Sequence, residues 1–417
     1  MTSLRVSPSR FVEPTGRHGL GLADYAWPSM GSAVAAIRVA LLHGIVPTKP
    51  VVVGEEWRAL LDSASRERIV GLLHAAVTDG EVRLPAPAVP ELEGLHRDAM
   101  KFDVRVDSVV RDVAAGFQRD GVEWRVLKGV ATARLLYDEP GKRHTGDLDV
   151  LVRESDFERA IDVVNSLGAT TPVGVMPGNR FRDAQKARTF LHPRGVEIDV
   201  HRRVQVLHQG SALSETFLFA GSTPLVVAGV EVKALSRSGL FLHSCLHLAT
   251  ANTRLSTMAD LLRMLHRDDF DIDEALAMAQ TERVAGYVDW AIERTTDWVR
   301  LSDRVAESQR RHRVPARDRL LARYYQSHPR AAILRDTVTG PGRLSRLAEI
   351  LCPSPPFLRE MKRNRPQQLL HLGARMGGFV RPHRGRLRAD YDPLDPGRNR
   401  ARRGRGQRDE PPELPHG

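Results

Sequence analysis

Cysteine is nearly absent: Cys245 and Cys352 are the two in the chain, and neither stands in a C-x-x-C pair or in a Cys/His cluster of zinc-finger spacing. Neither a disulfide framework nor a thiolate metal site is therefore expected. Long apolar runs are also lacking. A bilayer-spanning helix needs about 20 uninterrupted apolar residues, and the best candidate, residues 240–251, is broken by His243, Ser244 and His247. The opening thirty residues carry Arg5, Arg10, Glu13 and Arg17 with no apolar run behind them, so they do not read as a secretory signal and a cytoplasmic location is expected. Aromatic residues make up 6% of the chain. Trp27, Trp57, Trp124, Trp290 and Trp298 lie too far apart in sequence to suggest a shared stacking platform. Lysine is scarce as well: it supplies 7 of the 62 basic residues, leaving 55 arginines and a formal charge of +11. Such a skew is more the mark of a GC-rich genome than of a nucleic-acid interface. The basic runs at 310–313 and 398–408 have no interleaved aromatic residues to stack on bases, and read as solvated.

With 417 residues, 41% hydrophobic and 27% charged, the chain has material for two or three compact units. Residues 1–32 are irregular. Apolar residues at helical spacing then fill a section from 33 to 120, interrupted by a Pro-rich break at 84–90. At 122 the period changes, and an α/β core is expected over 121–235. Short β-branched runs predict strands at 122–127, 147–152, 189–192 and 196–201, and a hairpin of 225–227 with 230–232 turning at Ala228-Gly229. Between them lie a helix at 130–137, a turn-rich loop at 138–146 and a helix opened by Ser155 with Glu158, a capping-box pair, and ended by Gly168. A helical domain follows over 236–375. Residues 376–417 should form a disordered basic tail, with ten arginines against six acids from Arg381 onward and little to bury. The fold class is α+β: a small mixed sheet flanked by helical sections at both ends.

The segment Gly146-Asp147-Leu148-Asp149-Val150-Leu151-Val152 carries the chemistry. Alternation along a strand puts Asp147 and Asp149 on one face and Leu148, Val150 and Val152 on the other. Two neighbouring carboxylates repel unless a cation lies between them, so the pair suits a divalent ion of the kind that phosphoryl and nucleotidyl transfer require. Residues 196–201 repeat the pattern, with Glu197, Asp199 and His201 on one face. Lys128-Gly129 closes one strand and opens a helix, where free N–H groups favour phosphate and a lysine adds a point charge. His243 and His247 share a helix face, but Ser244 stands where an H-E-x-x-H motif needs Glu, so packing is the preferred reading. Asp260, on a helix among apolar neighbours, either faces the nucleotide site or forms a helix-surface pair with Arg263, and the pair is the preferred reading.

In order and spacing these pieces resemble the uncharacterised bacterial nucleotidyltransferase family of the DNA polymerase β-like superfamily. The pieces are Val126-Leu127-Lys128-Gly129, a helix ending at Tyr137, the run from Arg143 through Val152, and Glu197-Ile198-Asp199-Val200-His201. The likeness covers roughly residues 55–270. One departure stands out: the superfamily's Gly-Ser or Gly-Gly pair lies closer to the D-x-D, whereas Gly129 lies eighteen residues before Asp147. The resemblance implies Mg²⁺ (or Mn²⁺) on Asp147, Asp149 and Asp199, with Asp199 as third carboxylate and general base or ligand, and Glu197 as its rival. Lys128, Gly129, Arg143 and Gly146 are the expected nucleotide contacts. An NTP is the expected donor and the acceptor is open: a small molecule, a protein side chain or an RNA end. The alternative is a catalytically silent nucleotide- or nucleic-acid-binding protein on the same frame, and a further one is metal-assisted phosphoester hydrolysis.

Overall fold

Helical periodicity in the first section gives α1 (Gly31–Leu42), α2 (Trp57–Arg66), α3 (Val70–Thr78) and the long α4 (Ala88–Arg119), with a two-residue parallel pairing of β1 (Val51–Val52) and β2 (Val82–Arg83) between them. The computed structural model describes residues 31–171, 187–204, 206–207, 210–211, 213–250 and 254–327. Trp27, Cys352, the run at 398–408 and the expected tail from 376 lie outside these residues. Phe102, Val106, Val109, Val110, Val113 and Phe117 form one buried stripe on α4. That stripe lays the helix across the sheet, against β4, β9 and β10.

The period change at 122 starts the sheet. It contains β3 (Trp124–Val126), then α5 (Lys128–Leu135), β4 (Leu148–Val152), α6 (Phe157–Ser166), β5 (Ala187–Leu191) and β6 (Glu197–His201). The short pair β7 (Val206–Leu207) and β8 (Gly210–Ser211) and the helix α7 (Glu215–Ala220) lead to β9 (Ser222–Val227) and β10 (Val230–Leu235). The strand order is β5-β6-β4-β3-β10-β9, with β4 parallel to β6 and β10 parallel to β3. This is the expected α+β architecture. Strand β4 is buried along its whole length, so its alternating sequence serves two covered faces rather than one wet face. The β9–β10 hairpin turns at Ala228 (φ +49°) and Gly229 (φ +79°), consecutive left-handed residues that match the right-handed strand twist.

One local expectation fails. Ser155 does not cap α6, because Glu154–Asp156 form a 3₁₀ turn and the α-helix begins at Phe157 with no side-chain cap. The end is as read: Gly168 sits at φ +78°. After the sheet come α8 (Arg237–Thr250), α9 (Leu255–His266), α10 (Ile272–Thr281), α11 (Ala285–Thr296), α12 (Asp303–Arg311) and α13 (Ala316–Ser327). Helix α8 packs on α9, α10 and α11, and α9 also packs on α1, so the two helical sections meet beside the sheet. Within the 310–313 run, Arg310 pairs with Glu307 and Arg311 with Asp273 on an exposed face. No described helix is long and apolar enough to cross a membrane.

Candidate active site

The parallel register of β4 and β6 sets Asp149 directly beside Asp199, and Leu151 beside His201. Asp149 is 1% exposed, and its Oδ1 accepts from Lys128 Nζ at 2.6 Å and from His201 Nε2 at 2.8 Å. Asp199 accepts from Thr189 Oγ1 on the antiparallel neighbour β5. Donor atoms of Asp149, Asp199 and His201 all lie within 4.8 Å of one another. Burial favours the neutral acid at Asp149, but the Lys128 and His201 partners outweigh it and hold the carboxyl well below the usual range. At Asp199 burial and the charge of Asp149 act together and push the carboxyl up. Glu197 is raised as well, by burial and then by Asp199 and Asp147. Burial also works against the Lys128 ammonium, yet Asp149 and Asp147 raise its pKa above the usual range.

Asp147 goes a different way. Strand β4 begins at Leu148, so Asp147 stands one residue ahead of the ladder; its side chain is 30% exposed and meets the Arg68 guanidinium at 3.4 Å. The loop before it is tied down on several sides. Asp103 on α4 accepts from Thr145 N (2.8 Å) and Thr145 Oγ1 (2.6 Å), and holds His144 Nδ1 at 2.7 Å. Arg143 is buried and donates to both carboxylate oxygens of Asp260 at 3.0–3.2 Å, while Tyr137 Oη donates to the same carboxylate at 2.7 Å. The reading of Asp260 as a surface acid beside Arg263 is thereby corrected: α9 turns Asp260 inward, and Arg263 instead bonds the carbonyls of Leu41 and His43. The Arg68 guanidinium lies against the bare backbone of Gly146, where a Cβ would come within 2.0 Å of Arg68 Cζ and displace it. A Cβ on Gly129 would meet Thr145 Cγ2 at 3.2 Å, so the start of α5 packs tightly on this loop.

An open pocket of about 220 Å³ lies in front of these groups, lined by Lys128, Gly129, Arg143 and Asp147 from the core, Arg68 from the α2–α3 junction, and residues of α8 and α9 including His243, Ser244, His247 and Asp260. Of the residues expected at the site, Lys128, Gly129, Arg143 and Asp147 line this pocket, and Asp149 and Asp199 lie in the strand cluster beside it. Gly146 is the surface on which Arg68 rests. Lys128 has φ +44°, a left-handed backbone for a non-glycine residue at the first position of α5.

A family model described as an uncharacterised nucleotidyltransferase matches residues 54–299, more than half of the chain. The protein belongs to this nucleotidyltransferase family. No curated protein matches the chain. Among solved structures, it is similar to the antibiotic-resistance factor ANT(2″)-Ia at 13% identity and a TM-score of 0.28, over 50% of this chain and 98% of that one. It is also similar to an antigenic nucleotidyltransferase-like protein from Paracoccidioides brasiliensis at 16% identity and a TM-score of 0.27, over 44% of this chain and 92% of that one. At that overlap neither likeness bears on what this protein acts on.

Arg68, His201 and His243 were not singled out from sequence as site residues. His201 had a signal, since alternation along β6 places it on the face of Asp199. Arg68 and His243 come from helical elements remote in sequence from the D-x-D. His243 is buried in the pocket wall, and its Nε2 has no hydrogen-bond partner among the described residues. Burial, then Lys128, hold its imidazole well below the usual range, and so neutral. The set of two carboxylates and an imidazole within 4.8 Å suits a divalent cation in charge and donor type, with Asp147 a further carboxylate at the pocket mouth.

Proposed function

We propose that this protein transfers a nucleoside monophosphate from an NTP to a hydroxyl or similar nucleophile of an acceptor, releasing pyrophosphate. The observation that supports this most is the side-by-side placement of Asp149 and Asp199 on parallel strands, within reach of a pocket lined by Lys128, Arg143 and Asp147. Asp147, Asp149 and Asp199 would hold Mg²⁺ or Mn²⁺, with His201 buttressing Asp149. Such an ion neutralises triphosphate oxygens and lowers the pKa of an attacking hydroxyl.

The chain's own groups then divide the work. The acceptor O–H loses its proton to the Asp199 carboxylate, or to Glu197 as the alternative base. An O–P bond forms at the α-phosphorus, the α–β bridging P–O bond breaks in line with it, and pyrophosphate carries away the charge. Lys128 and Gly129 present the N-terminal end of α5 to the pocket, where the helix dipole favours anions. Arg143, neutralised by Asp260, fixes the loop that carries Gly146 and Asp147. The acceptor can be a small molecule, a protein side chain or an RNA end.

The contact of Lys128 with Asp149 favours a second reading, because an ammonium at 2.6 Å already balances that carboxylate. On this reading the protein binds nucleotide without turnover. Incubation with each α-labelled NTP, Mg²⁺ or Mn²⁺ and a cell extract separates the two. Transfer predicts a labelled acceptor, lost by at least a hundredfold in Asp147→Asn. NTP binding with no labelled product favours the silent reading, and free nucleoside monophosphate favours hydrolysis. Label transfer undiminished in Asp147→Asn combined with Asp149→Asn would remove the site altogether.

A further inference from the structure

Arg68, Lys128, Arg143 and Arg254 all line the pocket. Lys128 is held by Asp149 at 2.6 Å and Arg143 by Asp260 at 3.0–3.2 Å, whereas Arg68 meets its carboxylate, Asp147, at 3.4 Å. The N-terminal end of α5 at Lys128-Gly129 also opens onto the pocket, and Ser256 and Thr257 of the first turn of α9 line it. Nothing in the lining except the imidazoles of His243 and His247 offers a flat face for a base to stack on. This is the chemistry of a site for a compact polyanion.

Arg68 is built into this wall at some cost. It lies outside the core, between α2 and α3, with a left-handed φ of +57° that a residue bearing Cβ adopts reluctantly. Its junction is stitched to the start of α9: the buried Glu67 accepts from Leu255 N at 2.9 Å, Glu67 O accepts from Ser256 N at 3.2 Å, and Arg66 O accepts from Arg254 Nη1 at 3.3 Å. The guanidinium then rests on bare Gly146, with a long contact, 3.4 Å, to Asp147. An aligned charge-assisted hydrogen bond would be shorter, about 2.7–2.9 Å. The planar donor fork of Arg68 is thus held at the pocket, only loosely committed to a carboxylate.

Resting on the nucleotidyltransfer reading, we infer that this pocket is the polyphosphate subsite and that Arg68, delivered by the helical section rather than by the core, grips the β- and γ-phosphates of the NTP. The phosphate oxygens replace the loose Asp147 contact with bidentate donation from the guanidinium. The helical sections thereby complete a site that the sheet alone leaves open.

The test uses the full chain and measures binding of ATP, inorganic tripolyphosphate and AMP with Mg²⁺ present. Arg68→Ala should weaken ATP and tripolyphosphate by about tenfold or more, the scale of a lost charge-assisted pair, and move AMP less than twofold. Arg68→Lys should recover only part of the loss, because a point charge lacks the fork. Arg68→Gly separates function from folding: it removes the side chain yet suits the left-handed backbone, so its melting temperature should be no lower than that of wild type while its ATP affinity falls with that of Arg68→Ala. ATP and tripolyphosphate affinities within twofold of wild type in these variants, or an equal loss for AMP, would overturn the inference and leave nucleotidyltransfer standing. A wild-type protein that binds neither ATP nor tripolyphosphate would instead overturn the nucleotidyltransfer reading beneath it. Displacement of tripolyphosphate by single-stranded RNA at lower phosphate concentration than by ATP would assign the arginines to a nucleic-acid backbone and end the proposal.

Discussion

The tripeptide Asp147-Leu148-Asp149 delivers its two carboxylates into opposite environments. Asp149 sits in a buried nest beside β6, almost without solvent contact, balanced by the Lys128 ammonium and hydrogen-bonded by His201. Asp147, one residue ahead of the ladder, lines an open pocket and meets Arg68 at a long 3.4 Å. A D-x-D read as two equivalent ligands on one strand face therefore misses a division of labour. The inner carboxylate is part of what holds the sheet together, while the outer one is free to respond to whatever enters.

The comparison breaks first on stability. Asp149→Asn leaves a largely buried ammonium and an imidazole facing a neutral amide, and removing one partner of such a pair costs about 3 kcal/mol, or roughly 6–12 °C in melting temperature for a unit of this size. Asp147→Asn removes a partly exposed, poorly aligned contact and should cost under about 1 kcal/mol. Thermal melts of the two proteins without added metal decide the matter. Equal losses would show that the two carboxylates are not differently placed, whereas a large gap makes Asp147→Asn the cleaner probe of catalysis.

The pocket side is sharpened by Gly146→Ala. The glycine's φ is not left-handed, so alanine suits the backbone, but its methyl would strike the Arg68 guanidinium. That guanidinium is the far end of a flexible side chain and can move. The fold should lose under about 1 kcal/mol, while tripolyphosphate affinity drops severalfold. Because the two changes act through one group, Gly146→Ala combined with Arg68→Ala should bind no worse than Arg68→Ala alone. Additive losses would mean that Gly146 matters for a reason other than seating Arg68.

Much of the nest was legible in the sequence because it is built from local rules. Period-two alternation at 196–201 fixed the face of Asp199, and the turn pair Ala228-Gly229 announced the outer hairpin. The matching run to Val152 placed β4, although the ladder starts one residue later than alternation alone suggests. The pocket was far less legible, since its side chains come from three sections of the chain. Asp260 has Arg263 one turn away, and local spacing favours that pair. Tertiary packing wins because α9 is buried along most of its length, so Asp260 must find partners inside the protein and takes Arg143 and Tyr137 from the loop and helix opposite. Arg68 gave only a faint sign, a charged Arg66-Glu67-Arg68 step between an amphipathic helix and an apolar one, with no glycine to make the turn. Ser155 misled for the opposite reason: a sound capping pattern lost to a 3₁₀ turn one residue off.

The smallest expected effect tests the nest from the side of the ion. Burial and the neighbouring charge of Asp149 keep a proton on Asp199 to higher pH than an ordinary aspartate does. A divalent ion that uses this carboxylate must displace that proton, so its affinity should rise with pH until Asp199 is ionised and then level off. A raised carboxyl pKa works in the same direction on the apoprotein: ionising Asp199 next to Asp149 destabilises the empty nest, and cation binding relieves that repulsion. The increase in melting temperature on adding Mg²⁺ or Mn²⁺ should therefore be larger at pH 8 than at pH 5, by a few degrees, since tenfold in affinity changes stability by about 1.4 kcal/mol at saturating ion. Asp199→Asn should flatten most of that difference, leaving what Glu197, also raised, contributes. Asp147→Asn should lower the increment at both pH values while leaving its pH dependence in place, because the carboxylate at the pocket mouth does not share the buried repulsion. An increment equal at the two pH values, or larger in acid, would show that the ion does not use Asp199.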